Sequence, residues 1–295
     1  MEWHLHPDTI ALTLLLVGLY YLGARWAGRQ STPVRRLTRA QQVLYLSGVA
    51  LLYLGGSSPM HDLSERYLFS VHMLQHTVFS LIAPPLMLLG VPGWMLRPLI
   101  RNAAVRRVAY QITRPFPAFF IFNLVIVVTH LTVVMHAVLM HHSLHLISHT
   151  VLTASAFLMW FPVLSPLREL PRIGPFAQLV YLFVQSLVPG VIASFLVFSD
   201  KVVYEFYLRA PERVFGLSVL DDQRYAAVFM KLIAATILWF VMAVVFFRWF
   251  GEEDRRMAAR DDVRWDEVEQ ELERMGLTRR EQVAAETGRV PSRYD

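Results

Sequence analysis

Cysteine is absent from the 295 residues. That excludes disulfides, thiolate zinc sites, iron–sulfur clusters and cysteine nucleophiles. It leaves the redox compartment open, because a chain without thiols is indifferent to it. Charge is scarce as well: 17% of the residues are charged and 55% are hydrophobic, against a globular norm of roughly 25% charged. Mean hydropathy is +0.41. A chain this apolar has too little polar surface to stay in solution, and disordered and collagen-like classes are excluded with it. The pI of 9.6 points at first to nucleic acid. The positive charges, however, are gathered into no single patch; they lie between apolar stretches, which is the pattern of membrane topology. No internal repeat and no low-complexity segment is present.

Seven stretches approach the roughly 20 apolar residues needed to cross a bilayer core. They lie near 8–26, 40–56, 67–90, 117–137, 144–164, 176–199 and 225–249. The expected fold is therefore all-α: a polytopic bundle of seven transmembrane helices over 1–250 and a charged cytoplasmic tail over 251–295. Pro84-Pro85, Pro162 and Pro189 fall in the third, fifth and sixth stretches and predict kinks there. Met1 to Thr9 carries no basic residue and no small-residue cleavage site follows, so the first stretch does not read as a cleaved signal peptide.

Arginine sets the expected orientation. Arg25, Arg29, Arg35, Arg36 and Arg39 crowd the first connection, and Arg97, Arg101, Arg106, Arg107 and Arg114 the third. Arg168 and Arg172 lie in the fifth, and ten arginines follow from Arg248 onward. The alternate connections hold only Arg66, Lys201, Arg209, Arg213 and Arg224. Twenty-two basic residues against five place the N-terminus outside and the C-terminus in the cytoplasm. In the tail, Val268, Leu272 and Met275 follow helical spacing, which reads as a short solvated helix rather than a docking surface.

The chemistry is in histidine. There are eleven: His4, His6, His61, His72, His76, His130, His136, His141, His142, His145 and His149. On the expected topology His4, His6 and His61 lie outside, and His72 and His76 occupy the outer half of the third span. His130 and His136 sit in the outer half of the fourth, His141 and His142 in the next outer loop, and His145 and His149 open the fifth. None is cytoplasmic. His72 and His76 are spaced i, i+4, as are His145 and His149, so each pair shares a helix face. At about 1.5 Å rise per residue, His76, His130 and His149 lie roughly 7–14 Å below the outer boundary. An imidazole there is costly unless it faces the bundle interior and has a partner.

Neutral imidazole is the commonest metal ligand. Met60, Met73, Met135 and Met140 accompany these histidines. Imidazole with thioether, and no carboxylate at depth, favours copper, Cu(I) above all, over magnesium or calcium. The candidate ligands are His72, His76, His130 and His149, with His145 and His136 behind them. His4, His6, His141 and His142 read as solvated surface residues, Met73 and Met135 as packing. Lys231, about two turns into the last span, reads as a cation snorkelling to the outer interface. No Glu lies between His72 and His76, where a zinc peptidase carries its base.

Several runs resemble a known family. Phe69-Ser70-Val71-His72-Met73-Leu74-Gln75-His76, then Ala83-Pro84-Pro85-Leu86 and Leu89-Gly90-Val91-Pro92, are similar to the signature of the multi-pass CtaG cytochrome c oxidase assembly factors. So are His130-Leu131, Leu144-His145 through His149, Met159-Trp160-Phe161-Pro162, Phe198-Ser199, Tyr204, Tyr207, and Leu220-Asp221-Asp222-Gln223. The resemblance covers about residues 10–250. The chain departs from the pattern at Thr129 and Thr132, where the family has tryptophan and proline, and at Ala227 and Lys231 in the last span.

The resemblance implies a bacterial plasma-membrane protein that supplies copper to the oxidase during assembly and has no catalytic turnover. The partners implied are respiratory oxidase subunits and membrane lipid, with neither nucleic acid nor a small-molecule substrate expected. Two alternatives use the same histidines: a seven-helix zinc hydrolase, whose only nearby acids are Asp62 and Glu65, and a bis-histidine haem electron carrier. A retinal protein is remote, because Lys231 is too shallow.

Overall fold

The computed structural model describes residues 6–31, 33–170 and 172–275, and every regular element within them is helical. His4 and residues 276–295 of the tail lie outside the described residues. The chain divides into two compact units, Met1–Met242 and Ala243–Asp295.

Local signals start the first helices. α1 (Pro7–Arg29) has Pro7 in its first turn, where the missing N–H has no helical partner to lose, and Asp8 beside it. α2 (Arg39–Gly56) begins on a capping box. The Gln41 N–H donates to the Thr38 hydroxyl at 3.2 Å, and the Thr38 N–H donates to the Gln41 side chain at 3.0 Å. A short helix, α3 (Met60–Arg66), comes next.

The third apolar stretch is then built in three pieces: α4 (Phe69–Thr77), a π-helical turn (Val78–Ile82) and α5 (Ala83–Gly90). The proline pair explains the wide turn. Pro84 has no N–H to give the carbonyl four residues back, which is that of Ser80. The Trp160 indole N–H donates to this Ser80 oxygen instead, at 2.9 Å. A neighbouring helix thus satisfies the carbonyl that proline frees, as membrane helices require.

α6 (Gly93–Leu96) and α7 (Ala103–Ile112) lead into α8 (Pro115–His130). The fourth stretch, expected to run unbroken over 117–137, stops here. Leu131 is extended (ψ 132°), and a separate α9 (Thr132–Met140) follows. At the break the His130 carbonyl accepts a 2.9 Å hydrogen bond from the Tyr204 hydroxyl, so a long-range contact replaces the lost helical one. α10 (His142–Leu164) and α11 (Pro175–Val197) continue through Pro162 and Pro189. α12 (Val219–Arg274) begins more than a turn earlier than the apolar pattern suggests. Ser218 accepts from the Asp221 N–H at 3.1 Å, and Asp221 and Asp222 favour a helix start.

Among the described residues, five helices are long and apolar enough to cross a membrane: α1, Phe69–Gly90, α10, α11 and the Val219–Arg260 part of α12. The α2–α3 pair, bent by 44°, and the α7–α8 pair, bent by 66°, bring the number to seven if each pair is one span. Large apolar side chains face outward along the spans, among them Leu14, Phe120, Phe195 and Phe240. A surface of that kind suits acyl chains, not water.

The two largest buried clusters among the described residues pack the spans together. One centres on Leu152, Met159, Trp160 and Leu182, the other on Phe69, Met73, Met135 and Tyr207. α2 and α5 meet backbone to backbone. A Cβ at Gly90 would lie 2.5 Å from the Tyr45 nitrogen, and one at Gly48 2.8 Å from the Ala83 carbonyl, so only glycine allows the approach. In the Ala243–Asp295 unit the helix runs through Gly251 to Arg274, with Val268 and Met275 exposed.

Candidate metal centre

α4 and α10 bring three imidazoles together. One nitrogen each from His72, His76 and His149 lies within 4.8 Å of the others, and all three side chains are buried. The ring centroids are 4.4 Å apart for His72 and His76, 5.1 Å for His76 and His149, and 5.7 Å for His72 and His149. The i, i+4 spacing does this on α4, and α10 supplies the third ring from the opposite side. His130, the last residue of α8, places its ring 6.0 Å from that of His76. His145, one turn before His149, is 4.2 Å from His149 and stacks at 5.5 Å on His72.

The nitrogens of this group are mostly unpartnered. His72 Nδ1, both nitrogens of His76, and Nε2 of His130, His145 and His149 are buried without a hydrogen-bond partner. Each such group costs about 1–3 kcal/mol if nothing satisfies it. A cation bound among the lone pairs offsets that cost. His130 is already arranged for it: its Nδ1–H donates to the Ile126 carbonyl at 2.7 Å, which leaves Nε2 as the free lone pair.

α4 itself is held from a distance. Asp222, buried on the first turn of α12, accepts from the Phe69 N–H at 2.6 Å, the Ser70 N–H at 3.2 Å and the Ser70 hydroxyl at 2.5 Å. These are first-turn N–H groups with no partner inside the helix. Asp222 therefore caps the helix that carries His72 and His76 from 152 and 153 residues away in the chain. The Tyr207 hydroxyl donates to the Ser64 carbonyl at 2.9 Å and pins α3. Burial, reinforced by Asp222 and Glu65, raises the pKa of that hydroxyl well above its ordinary value, so it remains a donor.

The model of one family, described as cytochrome c oxidase caa3 assembly factor (Caa3_CtaG), matches residues 18–252. The chain belongs to this family. Neither a curated protein nor a solved structure matches it. As a Caa3_CtaG member with several apolar spans, it is a multi-pass bacterial membrane protein that acts in the assembly of cytochrome c oxidase.

The residues that carried the resemblance divide into two kinds in this Caa3_CtaG chain. His72, His76, His130, His145 and His149 form the cluster, whereas Trp160, Tyr204, Tyr207 and Asp222 hold the backbone around it. His136 is not brought in. It is exposed on α9, with its ring 6.5 Å from Phe206. Met73 is fully buried and lines a cavity of about 50 Å³ with His76 and His130, beside the imidazole group. Lys231 lines the same cavity and lies 3.5 Å from the Ser194 hydroxyl.

Two residues read from sequence as peripheral are part of a second group. His61 and Glu65, on α3, join His145, again with one ligand atom each within 4.8 Å. His6, expected to be solvated, is largely buried: it lies 3.3 Å from Asp62, and its ring meets His61 edge-on at 4.5 Å. His141 is exposed. His142 is exposed too, but contacts Asp8 at 3.2 Å. The usable signal was the i, i+4 spacing of His61 and Glu65, the same spacing that picked out His72 and His76.

Proposed function

We propose that this assembly factor binds copper at the His72–His76–His149 group, with His130 and His145 as adjacent ligands, and hands it to a copper centre of the oxidase. The observation that carries the reading is the convergence of three buried imidazoles, each with at least one buried nitrogen that has no hydrogen-bond partner. An all-imidazole set suits copper and zinc rather than magnesium or calcium, and the thioethers of Met73, Met159 and Met230 in the adjoining cavity tilt it toward Cu(I). Copper is cargo here. A three-coordinate site exchanges its ion more readily than a closed four-ligand cage, and a delivery factor must let go. Cysteine is absent, so the transfer rests on imidazole and thioether alone. The role is non-catalytic, the partner is an oxidase subunit in the same membrane, and the group faces the outside, as the arginine distribution indicates.

The zinc hydrolase reading gains Glu65 as an acid near the cluster, but that carboxylate is engaged by His61 and His145. Metal analysis with a visible spectrum separates the readings: copper without a haem band supports delivery. Cu(I) stoichiometry and competition affinity are to be measured for His72→Ala, His76→Ala, His130→Ala and His149→Ala beside His142→Ala. Loss of an inner ligand should weaken binding by about 10–100-fold, with His142→Ala close to the parent. Parent-like binding in all five variants defeats the site. In cells, deletion of the gene should lower oxidase activity while haem synthesis stays intact; unchanged activity defeats the delivery role.

A further inference from the structure

We propose that His61, Glu65 and His145 form a second cation station, in series with the His72–His76–His149 group, through which that inner group exchanges its ion with the outside of the bundle. The proposal rests on the reading of the inner group as a metal site.

The two groups differ in donor chemistry. The inner one is three imidazoles, all buried. The other is two imidazoles and a carboxylate, with the Glu65 side chain 22% exposed. Glu65 Oε1 lies 3.2 Å from His61 Nε2 and also bonds His145 Nδ1. His142, itself exposed, comes within 4.0 Å of the same oxygen. A carboxylate attracts a cation by its charge and tolerates partial hydration, whereas the neutral imidazoles beyond hold the ion by lone pairs alone. Hard to soft, wet to dry, is the order an ion meets on moving inward.

His61 is held in one orientation beside Glu65. The Gln75 amide donates to the Gly55 carbonyl at 2.7 Å, which fixes its orientation, and to His61 Nδ1 at 3.2 Å. His61 Nδ1 is therefore an acceptor, and Nε2 carries the proton that points to Glu65. Binding a cation there needs the lone pairs of His61 Nε2 and His145 Nδ1, so each neutral ring shifts its one proton to its other nitrogen as the ion arrives. The unpartnered Nε2 carries it on His145, and on His61 the Gln75 amide turns its oxygen toward Nδ1.

His145 links the two stations. Its Nδ1 belongs to the Glu65 group, while its Nε2 is buried and unpartnered. The ring stacks 5.3 Å from His61 on one side and 5.5 Å from His72 on the other, and 4.2 Å from His149. An ion can pass between the groups with imidazole contact throughout. A route to them also exists: a cavity of about 230 Å³ is lined by His61, His142, His145 and His149 among apolar residues of α1, α2 and α10. It reaches members of both stations.

The test uses the full chain in lipid nanodiscs under anaerobic conditions, with Cu(I) alone as the probe. Stoichiometry and the rate of loading are measured for the parent, Glu65→Gln, His61→Ala, His76→Ala and Glu65→Gln with His76→Ala. Melting curves accompany each variant, and the isosteric Glu65→Gln guards against a fold defect in His61→Ala. The parent should bind two equivalents. Glu65→Gln and His61→Ala should each lose one and load the remaining site at least tenfold more slowly. His76→Ala should keep one, and the double variant should bind none. A parent that binds one equivalent, indifferent to Glu65→Gln and lost in His76→Ala, overturns the second station and leaves the copper reading intact. Loss of one equivalent without slower loading overturns the series arrangement. An equivalent lost in Glu65→Gln but untouched in His76→Ala overturns the inner site, and the series with it.

Discussion

Replacing Asp222 tests whether a carboxylate on the last span governs the helix that carries the inner histidines. Asp222 accepts from two backbone N–H groups and one hydroxyl at the start of α4, and it is 2% exposed. In Asp222→Ala the Ser70 hydroxyl can turn elsewhere, but the Phe69 and Ser70 N–H groups cannot. Two unsatisfied buried donors cost about 1–3 kcal/mol each, or about 2–6 kcal/mol together. Asp222→Asn keeps one acceptor and turns an amide NH2 toward the other donor, so about half the loss is expected. Asp221→Ala is the control. That residue is exposed and bonds only its own N-cap, Ser218, so the change should stay within about 1 kcal/mol. The assay is reversible unfolding of the full chain in mixed micelles, paired with Cu(I) competition. Stability should fall in the order parent, Asn, Ala, and copper affinity should fall with it, although Asp222 is no ligand. An Asp222→Ala chain that unfolds like the Asp221→Ala control refutes the capping argument.

Trp160→Phe should cost about 3 kcal/mol or less, since it removes the one donor to the Ser80 carbonyl and leaves that oxygen buried; parent-like unfolding would mean the π-helical turn needs no partner. A reporter fused after Asp295 should read cytoplasmic and one near Ala137 external, because the arginines lie on alternate connections; reversed signals would place the histidine cluster on the inner face.

The spans were legible because apolar runs of membrane length are a local property of the sequence. The inner group was legible for a related reason: i, i+4 spacing within a span fixes a face, and a histidine in a span must turn inward. Where the reading went astray, the deciding contact was distant in the chain. Leu131 breaks the fourth stretch, and the Tyr204 hydroxyl that takes up the His130 carbonyl comes from 74 residues further on. The early start of α12 was signalled by Ser218 and two aspartates, a polar cap that a search for apolar runs passes over.

His61 and Glu65 show the limit most plainly. Their spacing satisfies the same helical rule as His72 and His76, yet the segment around them has no apolar run and reads as a loop. A seven-residue helix is too short to be stable alone. α3 exists because Tyr207 holds its Ser64 carbonyl and because the Ser64 hydroxyl reaches Gln75 on α4. Those partners lie 143 and 11 residues away, so nothing local announces the helix. Once it forms, the rule applies: Glu65 comes round to His61, and α10 presents His145 to both. The carboxylate that sequence alone left in an outer loop thus belongs to the same imidazole chain as the inner histidines, and the tertiary contacts that fold α3 are what put it there.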